Sequence, residues 1–507
     1  MESLMQYLVK TGTAIAIVWY VAIPASGTQL SQASQTVVRS VTAQMQATPR
    51  KFASAAAPVH PLPAAPSVRA SLQVPTGGTR INIDGMVHGA GAGGVSGAVG
   101  EQQYVQLAHG QMAVYRKQDG ALQSGPAGTH ALFAGAGLDD CAAPHAGAGS
   151  VLYEHRARRW ILAHLARSTG QDILCIAIST TADATGNYDH FGLPMRGAGQ
   201  EALQAEDARM ALWSDALYFS FSLFDNARGA YRGPRICRID LASMVPGQRA
   251  ALRCNDLGSE FGPALVASLE GEAPLKGTPA LILGLDFTEE GRGARLLLWR
   301  WPRGGAALGA PLAIPVSPFL IACAGAPGSA CLKQPYPGGA LAATGDRLMP
   351  RAAFRDNVLV AAHAVQLDDG RTGLRWYELR NVLHAAHVYQ QGTHAPDLLD
   401  RASGSIGIDK SGNIALGYSV AGADTPPGVR YTGRGRSDPP GRMAGEEVVV
   451  NGNGVQPGDA YLWAASGALS TDPSDDCTFW YTQQYLPLTG RNTWRTRIAS
   501  FKFGNCL

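Results

Sequence analysis
Short runs rich in aromatic and β-branched residues, separated by clusters of Gly, Asp, Asn and Pro, recur along most of this chain. The last of them is the clearest. In DPSDDCTFWYTQQYLPLTGRNTWRTRIASFKFGNC, an aspartate-rich turn, the run from Thr478 to Tyr481, a loop, and a second run ending in Phe501 and Phe503 predict a β-hairpin bracketed by Cys477 and Cys506. Upstream blocks repeat the unit. They are 104–115 (YVQLAHGQMAVY); 151–153, 160–165 and 173–179; 210–213, 216–224 (ALYFSFSLF) and 235–239; 280–285 and 295–301 (RLLLWRW); 347–354, 357–365 and 374–379; then 405–409 and 414–418, joined by a tight turn over 409–413. Helical periodicity is nearly absent. Counted from Val99, about seven units of roughly 40 to 60 residues emerge, the size of β-propeller blades. An open stack of sheets leaves edges that invite aggregation, whereas a closed ring protects them. The prediction is therefore an all-β fold, a propeller of about seven blades of antiparallel strands. Separate β-sandwich domains are the alternative, but no linker-like composition divides residues 99–507. Ring closure often borrows a strand from the other end of the chain, and residues 80–84 in TRINIDG are the candidate.

Composition adds the compartment. Charged residues make up 16% of the 507, below the roughly 25% of an average chain. With 61 Gly and 31 Pro, that suits a turn-rich β protein. A net charge of +3 without a Lys/Arg run excludes a nucleic-acid partner. Residues 1–27 read as a secretory signal, with Lys10 ahead of the apolar core TGTAIAIVWYVAI and the small residues Ala25, Ser26 and Gly27 as cleavage site. An uncleaved anchor is the lesser alternative, because the apolar run falls short of the roughly 20 residues of a membrane span. Residues 28–78, rich in Ala, Ser and Pro, read as a disordered, flexible linker, and 79–507 as the propeller domain. No later segment reads as a transmembrane span. The eight cysteines suit export, and sequential pairing is expected: Cys141 with Cys175, Cys237 with Cys254, Cys323 with Cys331, Cys477 with Cys506. The expected setting is secreted, periplasmic or on a bacterial cell surface, with the chain a monomer.

Several segments carry a resemblance. GAVGEQQYVQLAHGQMAVYRKQDGAL, RRWILAHLA, CIAISTTADATGNYDHF, GDRLMPRAAFRD, VYQQGTHAPD, SIGIDKSGNIALGYS, RYTGR, and DDCTFWYTQQYL with WRTRIASFKF together resemble a family of exported bacterial β-propeller proteins of uncharacterised function, over nearly all of residues 97–506. The resemblance implies fold and export and no established activity. Two departures stand out. Members carry Gly-Asp-Pro where this chain has His145 to Ser150, and Asn-Asp-Tyr-Pro where it has Glu206, Asp207, Ala208 and Arg209.

Candidate chemistry is sparse. Asp207, Asp346 and Asp459 each precede the expected innermost strand of a unit, so they are expected to converge near one channel mouth, with Arg347 beside them. Converging carboxylates bind a cation or, with one pKa raised, supply general acid–base catalysis. The competing reading is structural: aspartate at the start of a strand accepts backbone N–H bonds and fixes a turn. Arg347, Arg351, Arg375 and Arg430, with Tyr431, Trp376 and Glu378, suggest a sialidase-like clamp, although strand alternation puts Arg375 and Glu378 on opposite faces. STTADATGNYDHF partly matches the aspartate-box turn of sialidase-like propellers, through Ser179, Thr181, Asp183 and Gly186. His384, His387 and His394 approach metal-ligand spacing, but on a strand or loop His384 and His387 point in different directions and no H-E-x-x-H is present, so they are expected to be surface-loop histidines; Gly89, Gly91 and Gly94 lack a following helix, and no G-x-S-x-G is present. Trp299, Trp301, Trp480, Tyr481 and Trp494 serve either sugar stacking or packing between blades. No cofactor and no metal site is expected, with a bound cation such as calcium left open. The leading expectation is a binding module for a protein or glycan. Its rivals are a carbohydrate-active hydrolase using Asp207, Asp346, Asp459 or Glu378, and a ligand-free scaffold.

Overall fold
The computed structural model describes residues 53–54, 79–87, 94–144, 149–168, 171–195, 203–214, 216–225, 227, 229–248, 250–275, 277–304, 307–324, 330–458, 461–463 and 466–507. The signal and linker expected over 1–78 lie outside this set, apart from Ala53–Ser54, which pairs in parallel with Leu312 and Ala313.

Seven four-stranded antiparallel sheets follow one another around a central channel. From the channel outward, blade 1 is Val95–Val99, Gln103–Ala108, Gln111–Arg116 and Leu122–Gly128. Blade 2 is Ser150–Glu154, Arg159–Ser168, Gln171–Ser179 and Tyr188–Pro194. Blade 3 is Leu203–Leu212, Ala216–Asp225, Tyr231–Asp240 and Arg253–Asp256. Blade 4 is Ala264–Val266, Ala280–Phe287, Arg292–Trp301 and Leu312–Leu320. Blade 5 is Ala353–Arg355, Val358–Gln366, Thr372–Arg380 and His387–His394. Blade 6 is Asp400–Ile408, Ile414–Gly422, Thr425–Arg434 and Glu447–Val450. Blade 7 is Ala468–Thr471, Phe479–Tyr485 and Arg495–Phe501, completed on its outer edge by Ile81–Val87. Below, the upper face is where the innermost strands start and the lower face is where they end.

The ring closes as the sequence predicts. Ile81 pairs with Ser500 and Ile83 with Ile498, so a strand from near one end of the chain finishes the blade made by the other. Arg497 secures it, donating to Asn82 Oδ1 at 2.6 Å and Asp84 Oδ1 at 2.8 Å. The predicted hairpin is the middle of that blade, and its innermost strand, Ala468–Thr471, lies upstream of the run that signalled it. All eight cysteines pair in sequence order.

Blades pack through large rings and the small residues that face them. Tyr104 of blade 1 stacks on Trp480 of blade 7 at 5.2 Å, and Tyr431 of blade 6 on Phe501 of blade 7 at 3.8 Å. Gly417 is required where it is: a Cβ there would sit 2.7 Å from the Tyr481 ring of the next blade. Trp299, Trp301, Trp480, Tyr481 and Trp494 are all buried, which assigns them to packing and removes them as a sugar-stacking platform.

Channel-side edges are joined by serines. Ser96 of blade 1 accepts from Val151 N of blade 2 at 3.1 Å, and Ser150 of blade 2 donates to Ala208 O of blade 3. Ser405 of blade 6 accepts from Leu469 N of blade 7 at 3.1 Å, and Ser466 donates to Val95 O of blade 1 at 3.2 Å. Each hydroxyl satisfies a backbone group that a narrow channel would otherwise strand. Between blades 4 and 5 the chain itself does this, as Ser268–Leu269 adds in parallel to Ala353 and Phe354.

A small sheet of Ala330–Leu332, Leu341–Ala342 and Tyr461–Leu462 joins the long connection after blade 4 to the connection before blade 7. Leu332, Leu341, Ala343 and Trp463 belong to one apolar cluster with Val95 of blade 1 and Ala402 of blade 6. The sequence pattern does not announce this sheet, because its strands are two or three residues long. Replacing Cys477 and Cys506 together by Ala should cost on the order of 2 to 4 kcal/mol, read as a lower melting temperature; an unchanged melt would show that the closing blade does not need its staple.

Candidate functional site
The structure brings three of the predicted site residues together. In the innermost strand of blade 3 a β-bulge between Glu206 and Arg209 puts Asp207 at φ +55° and turns its carboxylate toward blade 5. There Arg347, in the segment leading into blade 5, donates Nη1 to Asp207 Oδ2 at 2.9 Å and Nε to Asp346 Oδ1 at 2.8 Å. Arg209 holds the other Asp207 oxygen at 2.5 Å. Asp346 and Arg347 are buried, and Asp207 is 11% exposed.

Charge balance decides what this group can do. Burial pushes the Asp207 pKa up, but the guanidinium groups of Arg209 and Arg347 outweigh it and hold the carboxyl below 3.8. Burial likewise opposes the charge on Arg347, and Asp346 and Asp207 overcome it, so its pKa is raised. A carboxylate kept ionised by two cations is a poor proton donor at neutral pH, and the same cations repel a metal ion. The geometry suits a clamp from blade 3 to blade 5.

Glu378 lies elsewhere, in the third strand of blade 5. It accepts from Arg380 Nε at 2.7 Å and Gln390 Nε2 at 2.5 Å. Asp459 lies outside the described residues. The four arginines of the sialidase-like arrangement are dispersed: Arg347 pairs with Asp346 and Asp207, Arg351 with Glu270, and Arg375 donates to Thr393 Oγ1 and Ser317 O. Arg430 lies 3.9 Å from Glu446. Each is engaged at a separate place, so they do not converge on one substrate carboxylate. His394 is no surface-loop histidine as expected: it ends the outer strand of blade 5, is buried, and belongs to the Glu446 group, where Glu446 also accepts from Arg401 Nε at 2.6 Å and Tyr418 Oη at 2.7 Å. Among the described residues no group of three or more His, Cys, Asp or Glu is placed to hold a metal ion. The STTADATGNYDHF segment forms the turn expected of it: Thr185 N donates to Asp183 Oδ1 at 2.9 Å, and Gln103 of blade 1 donates to the same oxygen at 2.8 Å. Asp472 and Asp475 are turn residues too, accepting from Ser474 N and from Thr478 N, both at 2.9 Å.

A cleft of about 530 Å³ opens on the lower face, away from that clamp. It is walled by residues where innermost strands end: Ala98 and Val99 of blade 1, Leu152 and Tyr153 of blade 2, Leu212 of blade 3, and Ser470 and Thr471 of blade 7. The segment from Ser268 to Ala273 and Arg351 complete it. Glu270 is buried and ion-paired with the Arg351 guanidinium. Asp476, at one side, receives Arg355 through both oxygens, at 2.8 and 2.5 Å. From the cleft toward the upper face the channel narrows to a gap of about 60 Å³ lined by Ser96, Ser150, Ser268, Ser405 and Ser466. Of these residues the sequence singled out only Arg351, and for another role. Glu270, Ser470 and Thr471 carry no local signal, since what unites them is the meeting of five strand ends.

No family model matches the chain, and no curated protein matches it. Solved structures that are similar include the α-L-arabinofuranosidase of Fusarium graminearum, at 8% identity over 85% of this chain and 99% of that chain, with a TM-score of 0.40. A protein of unknown function from Dyadobacter fermentans is similar at 10% identity over 70% and 94%, with a TM-score of 0.39. A mutant Trypanosoma rangeli sialidase is similar at 8% over 69% and 53%, with a TM-score of 0.34. At these values the likenesses say nothing of activity.

Two predictions follow from the buried ionisable groups. Arg347→Met removes the buried cation that Asp346 and Asp207 share and should lower stability by about 3 to 5 kcal/mol in urea unfolding, whereas a functional residue without a clamping role would leave stability near the parent's. Burial drives the pKa of His109 down to about 4 and that of His363 down to about 3. The unfolded chain takes up these protons below about 6.5 while the folded one does not, so stability is complete above that pH and falls as pH drops toward 4. The loss is roughly 1.4 kcal/mol per pH unit for each histidine. Melts at pH 7 and pH 5 should differ accordingly, and His109→Gln with His363→Gln should flatten the slope; an equal slope in the double variant would assign the acid lability elsewhere.

Proposed function
We propose that this chain is an exported, non-catalytic binding module whose ligand sits in the lower-face cleft. The observation that carries this is the cleft itself, about 530 Å³, within the roughly 300–1,000 Å³ usual for small-molecule sites, and built from four blades and the segment that joins blades 4 and 5. Binding there needs no moving parts, because the walls are strand ends fixed by the ring. Export is supported by the four disulfides, which persist in oxidising compartments. Among the described residues no helix is long and apolar enough to cross a membrane. Against the hydrolase reading stands the state of Asp207, whose pKa is lowered where a general acid needs it raised.

Ala273 stands on the cleft wall in a loop between strands, so Ala273→Trp fills the cleft without touching a blade core. The full chain applied to glycan and peptide arrays, with turnover measured on every hit, should give binding without product, and Ala273→Trp should abolish it. Product release from a hit would overturn the non-catalytic reading. Binding that survives Ala273→Trp would remove the cleft as the site.

A further inference from the structure
The four disulfides are not equally protected. Cys141, Cys175, Cys237, Cys323, Cys477 and Cys506 are all buried, and Cys331 is half-buried. Cys254 alone is exposed. It lies in Arg253–Asp256, the outermost strand of blade 3, with no strand beyond it among the described residues. Its partner Cys237 stands directly opposite in the third strand of the same blade and is fully buried. A disulfide is opened by a thiolate that approaches one of its sulfurs, so access to that sulfur governs the rate. Here solvent reaches the bond from the Cys254 side.

The bond also holds little that is not held otherwise. It crosses one rung of a ladder that pairs Arg235 with Asp256 at one end and Arg238 with Arg253 at the other. The Asp256 end has a second anchor: Arg235 donates Nε to Asp256 Oδ1 at 2.6 Å and Nη2 to Oδ2 at 2.7 Å, and Leu257 N donates to Pro234 O at 2.9 Å. The Arg253 end receives the connection 241–252, in which no described residue is buried. Its side chain makes one exposed bond, to Gly304 O at 3.3 Å. The disulfide therefore restrains the Arg253 end and that connection, while the three long strands of blade 3 pair with one another independently of it. Cys477–Cys506, by contrast, is buried in the blade that closes the ring.

We infer that Cys237–Cys254 is a redox-sensitive latch: a dithiol opens it within the folded ring, ahead of the other three bonds, and frees the Arg253 end of the outer strand together with the connection 241–252. One thiolate of the dithiol attacks Cys254 Sγ, the S–S bond breaks, and Cys237 leaves as a thiolate that takes up a proton. The second thiol of the reductant then displaces Cys254 from the mixed disulfide. The dithiol is oxidised to its own disulfide, and both cysteines end as thiols, with two electrons and two protons transferred. Asp256 stays on Arg235, so the strand frays from one end and keeps its place at the other. In an oxidising compartment the latch stays closed, and a dithiol loosens the lower rim of blade 3.

In the test, the full chain is treated with graded dithiothreitol under native conditions, quenched with an alkylating reagent and mapped by peptide mass, while circular dichroism follows the β fold. Cys237 and Cys254 should be alkylated at least about tenfold faster than any other pair, with the dichroism unchanged. Hydrogen exchange on the same sample should quicken within 241–256 and nowhere else. Cys237→Ala with Cys254→Ala should show that faster exchange without any dithiol; should this variant not fold, the parent's titration decides alone. Opening of another pair first, or opening of Cys237–Cys254 only as the β signal is lost, would overturn the latch. So would exchange within 241–256 that stays unchanged once the bond is open.

Discussion

Everything in this molecule depends on closing a ring. Seven twisted sheets arranged about an axis leave each innermost strand with one edge facing a channel too narrow to hydrate it freely, and each blade stable only against its neighbours. The closing contact is the pairing of Ile81–Val87 with Arg495–Phe501, reinforced by Arg497 on Asn82 and Asp84 and by Tyr485 Oη on Asp84 at 2.8 Å. It joins residues some four hundred apart in sequence, so its loop-closure entropy is offset by the contacts of the whole ring and not by this pairing alone. Cys477 and Cys506 then tie the same blade together across its hairpin.

The interfaces solve their polar problem in two ways. Around most of the channel, serine hydroxyls reach across to the backbone of the next blade, as Ser96, Ser150, Ser405 and Ser466 do. Between blades 3 and 5 that device gives way to Asp207, Arg347 and Asp346, with the bulge at Asp207 supplying the reach. Buried charges of this kind are costly to desolvate and contribute little net stability against an apolar alternative, but each fixes its partner's position, because removing one strands the rest. The same logic governs Glu446, which gathers Arg401, Tyr418 and His394 at the outer side of blade 6. An ion pair at the cleft, Arg351 with Glu270, differs only in being left within reach of a ligand.

The long apolar blocks are strands close to where they were read: 216–224 is Ala216–Asp225, and the run from Thr478 to Tyr481 opens the longer Phe479–Tyr485, because stretches this rich in aromatic residues have no stable alternative to a sheet flanked on both faces. Short strands were illegible. Val95–Val99 lies in a glycine-rich stretch that reads as loop, and Ala353–Arg355 occupies only the end of a run read as strand from Arg347. In both cases the strand exists because neighbouring blades supply its partners. The candidate site shows the same division. Asp207, Asp346 and Arg347 were each visible as charged residues ahead of strands, but their neutralising geometry depends on a bulge and on blades two apart.

What the sequence determined by itself was the local currency of the fold: all-β blocks, their approximate number, the turns at Asp183 and Asp475, and the pairing of cysteines with their neighbours in sequence. These are short-range properties, set by side-chain alternation and turn chemistry within a few residues. Only the tertiary structure decided that the aspartates are clamped by arginine, that the tryptophans are interior, and that a cleft opens where Val99, Leu152, Leu269, Arg351 and Ser470 meet. Those residues are spread over nearly four hundred positions, and no local rule brings them together. The closure of the ring does.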